Sequence, residues 1–285
     1  MIRAYRESDL ESISEMVAKG RPSISHELVA TRMARHGIVY EVDGKIQGIA
    51  ARTTQRETPA GSRVNAWVYT DPVFRRRGVG SLLWRELMSR METVPKILAT
   101  SYRVDKGDPT QFFTRRGFAF WLAGHCLGYR GDHIEYTPTL TVENYTEDRF
   151  WDFVNLTNEG FLSLRQQHDI LPHLCYPPGF NEDDLRERRL TFHQEDIHFF
   201  RDSAGSVVGY TYLEGPAIDT IVVAQSHMRK GYGREMMCFC INTLLDRGYE
   251  LITLEVADTN TGARRLYDSV GFELMETVHD ARIQR

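Results

Sequence analysis

The sequence predicts an α/β (α+β) protein made of two tandem copies of one domain, each with a mixed central sheet flanked by helices. Three observations predict this fold class. The 285-residue chain resembles itself at an offset of about 153 residues. Each half alternates strand-like and helix-like patterns. Each half also carries a glycine-containing loop between a strand and a helix.

The internal repeat rests on landmarks that occur in the same order in both halves. They are Asp43-Gly44 with Ala204-Gly205, Arg77-Gly78-Val79-Gly80 with Lys230-Gly231-Tyr232-Gly233, and Gly117-Phe118 with Gly271-Phe272. One such match would mean little, but several in order indicate duplicated domains. With a boundary around Thr137-Pro138, we expect an N-terminal domain over residues 1–135 and a C-terminal domain over 136–285.

The elements follow from periodicity and turn signals. In the first half we expect strands at 2–5, 39–42, 46–51, 64–70 and 97–101, a helix over 9–18, and another after Gly78. In the second half we expect strands at 197–201, 207–213, 217–223 and 251–257, and a helix over about 231–246. Extra residues in the second copy fall within 157–195, where several prolines interrupt regular structure.

Composition narrows the function. The formal net charge of −4 argues against a protein that coats nucleic-acid phosphates. No run of about 18 apolar residues predicts a membrane span, and no signal peptide is expected. The four cysteines have no zinc-binding or disulfide-framework spacing, so we expect a cytoplasmic protein with reduced thiols and no metal.

The glycine loops predict a phosphate-binding site. Glycines let a ligand approach the backbone, and the start of the following helix presents free N–H donors and a positive dipole end. A dinucleotide-binding loop would need a third glycine where Leu83 and Met236 stand, and neither copy has the Gly-Lys-Ser/Thr of a Walker loop.

These motifs resemble those of the GNAT superfamily of N-acetyltransferases. Arg75-Arg76-Arg77-Gly78-Val79-Gly80 matches the family's pyrophosphate loop, and Met228-Arg229-Lys230-Gly231-Tyr232-Gly233 matches it except at Met228. The later family pattern is matched by Asn260, Ala263, Leu266, Tyr267, Gly271 and Phe272. The tandem arrangement is similar to that of mycothiol synthase-like enzymes, but this likeness implies no substrate.

The resemblance implies a splayed sheet and acetyl-CoA as co-substrate. In the first copy it assigns the pantetheine strand to Val68, Tyr69 and Thr70, and the pyrophosphate loop to Arg75, Arg76, Arg77, Gly78, Val79, Gly80 and Ser81. In the second copy it assigns the pantetheine strand to Ile221, Val222 and Val223, and the pyrophosphate loop to Arg229, Lys230, Gly231, Tyr232, Gly233 and Arg234. It also assigns a cofactor contact to Asn260.

The same resemblance makes the two copies unequal. Tyr267 stands where family members place a general acid, whereas the first copy has Phe113, which has no proton to donate. Asp219 stands where they place a base, and the first copy has Ala66 there by counting. Asn260 corresponds to Lys106. We therefore expect catalysis in the C-terminal domain and, in the N-terminal domain, CoA binding or a purely structural role.

Each candidate also has a structural interpretation. Tyr267 fits a core aromatic, Asp219 a surface residue, and Asn260 a helix N-cap. We expect His227 to be a solvated turn residue, and Cys238 and Cys240 to be core thiols. Glu159, Tyr176 and the 157–195 insert fit either an acceptor lip or an ordinary surface loop.

The function that this resemblance implies is transfer of an acetyl group to the primary amine of a small molecule, by direct attack on the thioester. The alternatives are a catalytically silent acyl-CoA sensor or scaffold, and a protein or peptide N-acetyltransferase. We expect neither nucleic acid nor a membrane as partner, and the sequence leaves the acceptor and the oligomeric state open.

Overall fold

The computed structural model describes residues 1–18, 36–105, 107–190 and 193–285, without the side chains of residues 188 and 189. The chain divides into two units. Unit 1 comprises Met1–Gly124 and Glu276–Arg285, and unit 2 comprises His125–Met275. The division expected at residue 135 differs from this one at two points. Residues 125–135 belong to unit 2, and the C-terminal strand returns to unit 1.

Unit 1 contains the elements that begin and end as follows. Its helices are α1 (Leu10–Ala18), α2 (Val79–Ser89) and α3 (Thr110–Thr114), with 3₁₀ turns at Glu7–Asp9 and Pro72–Phe74. Its strands are β1 (Ile2–Ala4), β2 (Ile38–Val42), β3 (Lys45–Arg52), β4 (Arg63–Thr70) and β5 (Ile97–Arg103). It also includes residues 119–124 of β6 (Ala119–Tyr129).

Unit 2 contains a similar series of elements. Its helices are α4 (Phe150–Gln167), α5 (Glu182–Leu185), α6 (Tyr232–Asp246) and α7 (Thr261–Ser269), with 3₁₀ turns at Glu147–Arg149 and Gln225–His227 and a π-helical segment at Arg186–Leu190. Its strands are β7 (Thr141–Asn144), β8 (Ile197–Arg201), β9 (Val207–Glu214), β10 (Ala217–Val223) and β11 (Ile252–Ala257). It also includes residues 125–129 of β6 and 273–275 of β12 (Glu273–Gln284).

Each unit has a mixed sheet whose last strands come from different repeats. Unit 1 runs β1-β2-β3-β4-β5, then residues 276–284 of β12, then residues 119–124 of β6. Unit 2 runs β7-β8-β9-β10-β11, then residues 125–129 of β6, then residues 273–275 of β12. In unit 1, β12 pairs antiparallel with β5 from Val278 opposite Arg103 to Gln284 opposite Ile97.

The sheets splay at the same place in both units. In unit 1, β4 and β5 pair in parallel only through Arg63–Ile97, Val64–Leu98 and Asn65–Ala99 among the described residues. In unit 2, the described parallel pairing of β10 and β11 is limited to Ala217 opposite Thr253. Because both strands continue beyond these pairs, one edge of β4 and one edge of β10 are left open to a ligand backbone.

Alternation along β4 divides the core of unit 1 between two faces. Val64 and Ala66 pack with Leu83 of α2 in one cluster. Trp67 and Tyr69 lie beside the α1 cluster on the other face. In unit 2, α4 comes so close to β10 that a Cβ added at Gly160 would lie 2.8 Å from Val222 Cγ1. The first part of the expected insert is therefore a helix packed on the sheet.

Candidate functional site

The two glycine loops have nearly the same backbone conformation. Arg76 and Arg229 are left-handed, with φ of 64° and 61°. Gly78 and Gly231 follow, with φ of 85° and 89°, and are the N-caps of α2 and α6. Consecutive N–H groups in such a turn form a concave anion site next to the free amides of the first helical turn. Both loops therefore retain the geometry of a phosphate cradle.

A cavity of about 510 Å³ in unit 1 extends from this loop into the gap between β4 and β5. Nine of the ten residues predicted to bind the cofactor in the first copy line it, and these are Val68, Tyr69, Thr70, Arg75, Arg76, Gly78, Val79, Gly80 and Ser81. Arg77 is not among the lining residues, and its guanidinium instead lies 5.6 Å from the centre of the Phe74 ring. Cavities of this size hold small-molecule ligands.

Four guanidinium groups give the loop end of this cavity a positive charge. Arg75, Arg76, Arg115 and Arg116 all line it. Arg75 Nε donates to Thr70 O at 3.2 Å, which holds that side chain across the end of β4. Guanidinium groups are well suited to bind phosphate oxygens, so this end fits a polyanionic ligand group.

In unit 2 the corresponding elements converge in the same way. A Cβ at Gly233 would lie 3.3 Å from Leu266 Cδ2 of α7 and 3.7 Å from Val223 Cγ2 of β10. At Gly80 the neighbours would be Phe112 Cε2 at 3.6 Å and Val68 Cγ1 at 3.7 Å. The glycine loop, the splayed strand and the following helix therefore meet at one place in each unit.

The remaining residues predicted in the second copy lie around this point. Ile221 and Val223 pack toward α6, whereas Val222 packs toward α4. Arg229 and Lys230 are exposed in the loop, and Tyr232 and Arg234 lie in the first turn of α6. A separate depression of about 620 Å³ in unit 2 is lined by Arg130, His133 and Tyr249, at the opposite end of α6 from the loop.

An arginine ties the loop helix to the next helix in both units, but from opposite sides. In unit 1, Arg116 Nη2 donates to Ser81 Oγ at 2.9 Å. In unit 2, Arg234, which occupies the position of Ser81, donates from Nη1 to Ser269 O and Oγ, both at 3.0 Å. The attachment of α2 to the segment that ends α3, and of α6 to α7, is therefore preserved although the residues differ.

Tyr267 lies on α7 in the main core cluster of unit 2. It is 7% exposed and packs with Leu254, Cys240 and Phe272, whose ring centre is 6.2 Å from its own. Burial raises the pKa of Tyr267 to about 12, and the nearby Cys240 adds to the shift. The hydroxyl therefore stays protonated at neutral pH. In unit 1, Phe113 takes the equivalent place and stacks on Tyr102 at 4.8 Å.

Asp219 is an extra residue in β10. Ile218 pairs with Leu213 and Thr220 pairs with Tyr212, so Asp219 forms a β-bulge between them. Its side chain is exposed and accepts a hydrogen bond from Thr220 Oγ1 at 2.9 Å. In unit 1, Ala66 pairs with Arg52 in an unbroken register, so Ala66 corresponds to Ile218 and not to Asp219. The structure describes no contact between Asp219 and Tyr267.

Two of the other candidates have clear structural partners. Asn260 caps α7, because its Oδ1 accepts from Ala263 N at 3.1 Å. Lys106, its counterpart by counting, lies outside the described residues. His227 is not a freely solvated turn residue, since its Nε2 lies 3.4 Å from Asp202 Oδ2. Cys238 and Cys240 are buried thiols of α6.

The proposed lip residues pack on unit 2 itself. Glu159 Oε1 accepts a hydrogen bond from Gln225 N at 2.6 Å, which fixes the turn after β10. Asn158 exchanges two hydrogen bonds with the backbone of Tyr176. Within the described residues, no group of His, Cys, Asp and Glu side chains could hold a metal ion, and no helix is long and apolar enough to cross a membrane.

Sequence reasoning missed the walls of the unit 1 cavity beyond the motif. Ser101 and Arg103 of β5 form one wall, and Val17, Ile49 and Trp67 contribute to another. A motif search finds none of these residues. Alternation along β5 is the one signal in the sequence that bears on them.

Two units with a splayed mixed sheet and a phosphate-cradling loop at the splay define a tandem acyl-CoA N-acyltransferase fold. The model of the acetyltransferase (GNAT) family matches residues 5–128 and 164–272. The chain belongs to this family.

Known proteins resemble both the whole chain and a part of it. Over 272 residues the chain is 25% identical to a mycothiol acetyltransferase of Corynebacterium diphtheriae, which covers 85% of this chain and 80% of that protein. A [ribosomal protein bS18]-alanine N-acetyltransferase of Haemophilus ducreyi is 37% identical over 62 residues, or 22% of this chain and 43% of the relative. The chain thus spans less than half of this second relative.

Solved structures share the fold at low sequence identity. A GCN5-related N-acetyltransferase from Sphaerobacter thermophilus has a TM-score of 0.74 and 16% identity, covering 99% of this chain and 95% of that one. A tandem GNAT protein from the clavulanic acid biosynthesis pathway has a TM-score of 0.64 and 15% identity, covering 99% and 97%. Acetyl transfer is therefore the established reaction class of the family to which this chain belongs.

Proposed function

We propose that this protein transfers the acetyl group of acetyl-CoA to the primary amine of a small molecule. The observation that carries the proposal is the pair of phosphate-cradling loops, each following a splayed strand and starting a helix. Pyrophosphate fits the loop amides, and an extended pantetheine arm fits the open strand edge. The residues of both units therefore suit acetyl-CoA.

In unit 1, the lined cavity and its four arginines support acetyl-CoA binding. In unit 2, the loop amides of residues 229–234 and the edge of β10 would hold the same groups. Asn260 would contact the cofactor through its side-chain Nδ2, because its Oδ1 already accepts the hydrogen bond that caps α7.

We place the chemistry in unit 2 because of Tyr267. The amine nitrogen attacks the thioester carbon, the C–S bond breaks, and the sulfur leaves as a thiolate that must be protonated or stabilised. A buried tyrosine that stays protonated is suited to donate to that sulfur. Phe113 offers no such donor in unit 1, where the bound CoA thioester would remain intact.

Asp219 is the proposed base in unit 2. An acceptor amine arrives mainly as an ammonium ion, and a carboxylate both attracts it and accepts its proton. The bulge supports this role because it places a carboxylate at the open part of β10, where unit 1 has no corresponding residue.

The acceptor is proposed to be a small molecule rather than a protein. The relative that covers 85% of this chain is named for mycothiol and not for a protein, as a mycothiol acetyltransferase. The relative named for a ribosomal-protein alanine matches over 22% of this chain. A protein N-terminus is the second candidate acceptor.

An acceptor panel tests the proposed function. Thiol release from acetyl-CoA is measured with small primary amines, with peptides bearing a free N-terminus, and without acceptor, and products are identified by mass spectrometry. Transfer to an amine supports the proposal, and exclusive transfer to peptides favours the second candidate. Tight acetyl-CoA binding without transfer to any acceptor contradicts it and indicates a silent sensor.

A further inference from the structure

The unit 1 cavity has two chemically different ends on opposite faces of the sheet. It passes through the gap that opens between β4 and β5 after Asn65 and Ala99. On the α2 side it is lined by four arginines, two in the loop and two directly after α3. On the α1 side it is lined by the apolar side chains of Val17, Ile49, Ala51 and Trp67.

The apolar end extends beyond what the glycine loop requires. Val17, Ile49 and Ala51 are 4%, 8% and 2% exposed and belong to the α1 core cluster. Ala51 is the smallest of these side chains. Trp67 and Tyr69 flank the same cluster, and Tyr69 Oη is occupied in donating to Met16 O at 3.2 Å. Among the described residues, the lining of this compartment therefore presents mainly carbon atoms to a ligand.

At this end the described polar side chains of β5, Ser101 and Arg103, are held by other protein groups. Arg103 forms ion pairs with Asp105 and with Glu276, the latter at 3.5 Å. Ser101 donates a hydrogen bond to Asp280. Because two carboxylates already balance the Arg103 charge, this wall offers little attraction to a ligand carboxylate.

We infer that unit 1 binds a CoA thioester whose acyl group is apolar and longer than acetyl. The arginine end binds the phosphates, and the gap between the strands binds the pantetheine arm. The apolar end lined by Val17, Ile49, Ala51 and Trp67, here called the acyl compartment, binds the acyl chain. This inference rests on the proposed binding of CoA by unit 1. It goes further by naming the acyl class, and it involves binding only, with no bond made or broken.

The expected size of the effect follows from hydrophobic transfer. Each methylene buried from water strengthens binding by up to about fourfold. Hexanoyl-CoA has four methylenes more than acetyl-CoA, so incomplete burial still leaves a gain on the order of tens of fold. An ω-carboxylate on the chain, as in succinyl-CoA, is expected to remove this gain.

The test uses the full-length chain with Gly233→Asp, which places a carboxylate in the unit 2 loop so that binding reports on unit 1. Isothermal titration is performed with CoA, acetyl-CoA, butyryl-CoA, hexanoyl-CoA and succinyl-CoA. Affinity that rises from acetyl to hexanoyl supports the inference. Equal affinity for all thioesters, or a preference for succinyl-CoA, overturns it.

Matched variants locate the acyl compartment. Ala51→Leu, with the milder Ala51→Val, should lose most of the chain-length gain while binding CoA as before. Ala50→Val is the control, because Ala50 is equally buried but packs in the α2 cluster on the other face. A chain-length gain unchanged by both Ala51 variants, with thermal unfolding confirming a folded protein, overturns the inference.

Failure of the inference and failure of the proposed function are distinguishable. If CoA itself does not bind to the folded Gly233→Asp chain, unit 1 is no CoA site and both the inference and the unit 1 part of the proposed function fail. If CoA binds but chain length has no effect, the inference alone fails. Acetyl transfer by the wild-type chain is measured separately and tests the unit 2 part.

Discussion

Units 1 and 2 share a backbone but differ in the side chains that surround the open strand. Unit 1 has a cavity lined by arginines, and Phe113 at the position that corresponds to Tyr267. Unit 2 has the tyrosine hydroxyl and a carboxylate on an added bulge. The loop conformation is the same within a few degrees in both. The loop backbone has therefore been retained in both units, whereas the side chains around the open strand differ.

The largest effect expected from removing a single functional group is that of Tyr267→Phe. Loss of the proton donor should lower kcat for acetyl transfer about a hundredfold, because general acid catalysis contributes on that scale. Steady-state thiol release measures it. Tyr102→Phe is the matched control in unit 1 and should leave kcat unchanged. An unchanged rate in Tyr267→Phe, or an equal loss in Tyr102→Phe, would contradict the assignment of chemistry to unit 2.

Acid should destabilise unit 2 before unit 1. His198 on β8 pairs with Thr211, whereas the equivalent pair in unit 1 is Ile38 with Ala50. Burial lowers the pKa of His198 to about 4, with Arg247 also lowering it and Asp196 opposing. The unfolded chain takes up a proton near the ordinary histidine pKa, and the folded chain does so only near pH 4. Stability is therefore lost as the pH falls through this window.

The difference between the pKa of His198 in the folded chain and in the unfolded chain should lower the unfolding free energy of unit 2 by about 2 kcal/mol between pH 7 and pH 5. Denaturant titration gives the magnitude, and hydrogen exchange with mass spectrometry shows which unit opens. His198→Leu should flatten the pH dependence. A pH dependence that is the same in this variant and in the wild type would show that His198 is not its source.

The smallest effect concerns the arginine ties between helices. Arg116→Ala in unit 1 and Arg234→Ala in unit 2 should each lower the unfolding free energy by about 1 kcal/mol, the typical value of a partly exposed hydrogen bond. Thermal unfolding measures both, with Arg115→Ala as an exposed control. A loss in one unit alone would show that the two ties are not equivalent.

Much of this comparison was predictable from the sequence. Local patterns predict the repeat and the glycine loops. They also predict that Phe113 in the first copy corresponds to Tyr267 in the second. Asp219 was found by counting, but its bulge was not. Counting assumes that the strands of the two repeats have equal lengths, and it makes Asp219 equivalent to Ala66. The strand registers show instead that Ala66 is equivalent to Ile218.

Local patterns do not predict which strands belong to which unit. Residues 276–284 complete the sheet of unit 1 although they end the second repeat, and residues 125–129 complete that of unit 2. Strand partners are set by long-range packing. A last strand that joins the sheet of its own repeat and one that joins the other sheet satisfy the same alternation of side chains. The apolar walls of the unit 1 cavity depend on the same long-range packing and were missed for that reason.

A matched pair of loop variants tests the central claim most directly, namely that both units bind CoA thioesters and only unit 2 transfers the acetyl group. Gly80→Asp and Gly233→Asp place a carboxylate in the same turn of each loop helix, where acidic residues are compatible with the helix but repel pyrophosphate. Titration with acetyl-CoA should show two sites in the wild type and one in each variant. Acetyl transfer should fall about a hundredfold or more in Gly233→Asp and persist in Gly80→Asp. Loss of transfer in Gly80→Asp with activity retained in Gly233→Asp would contradict the account.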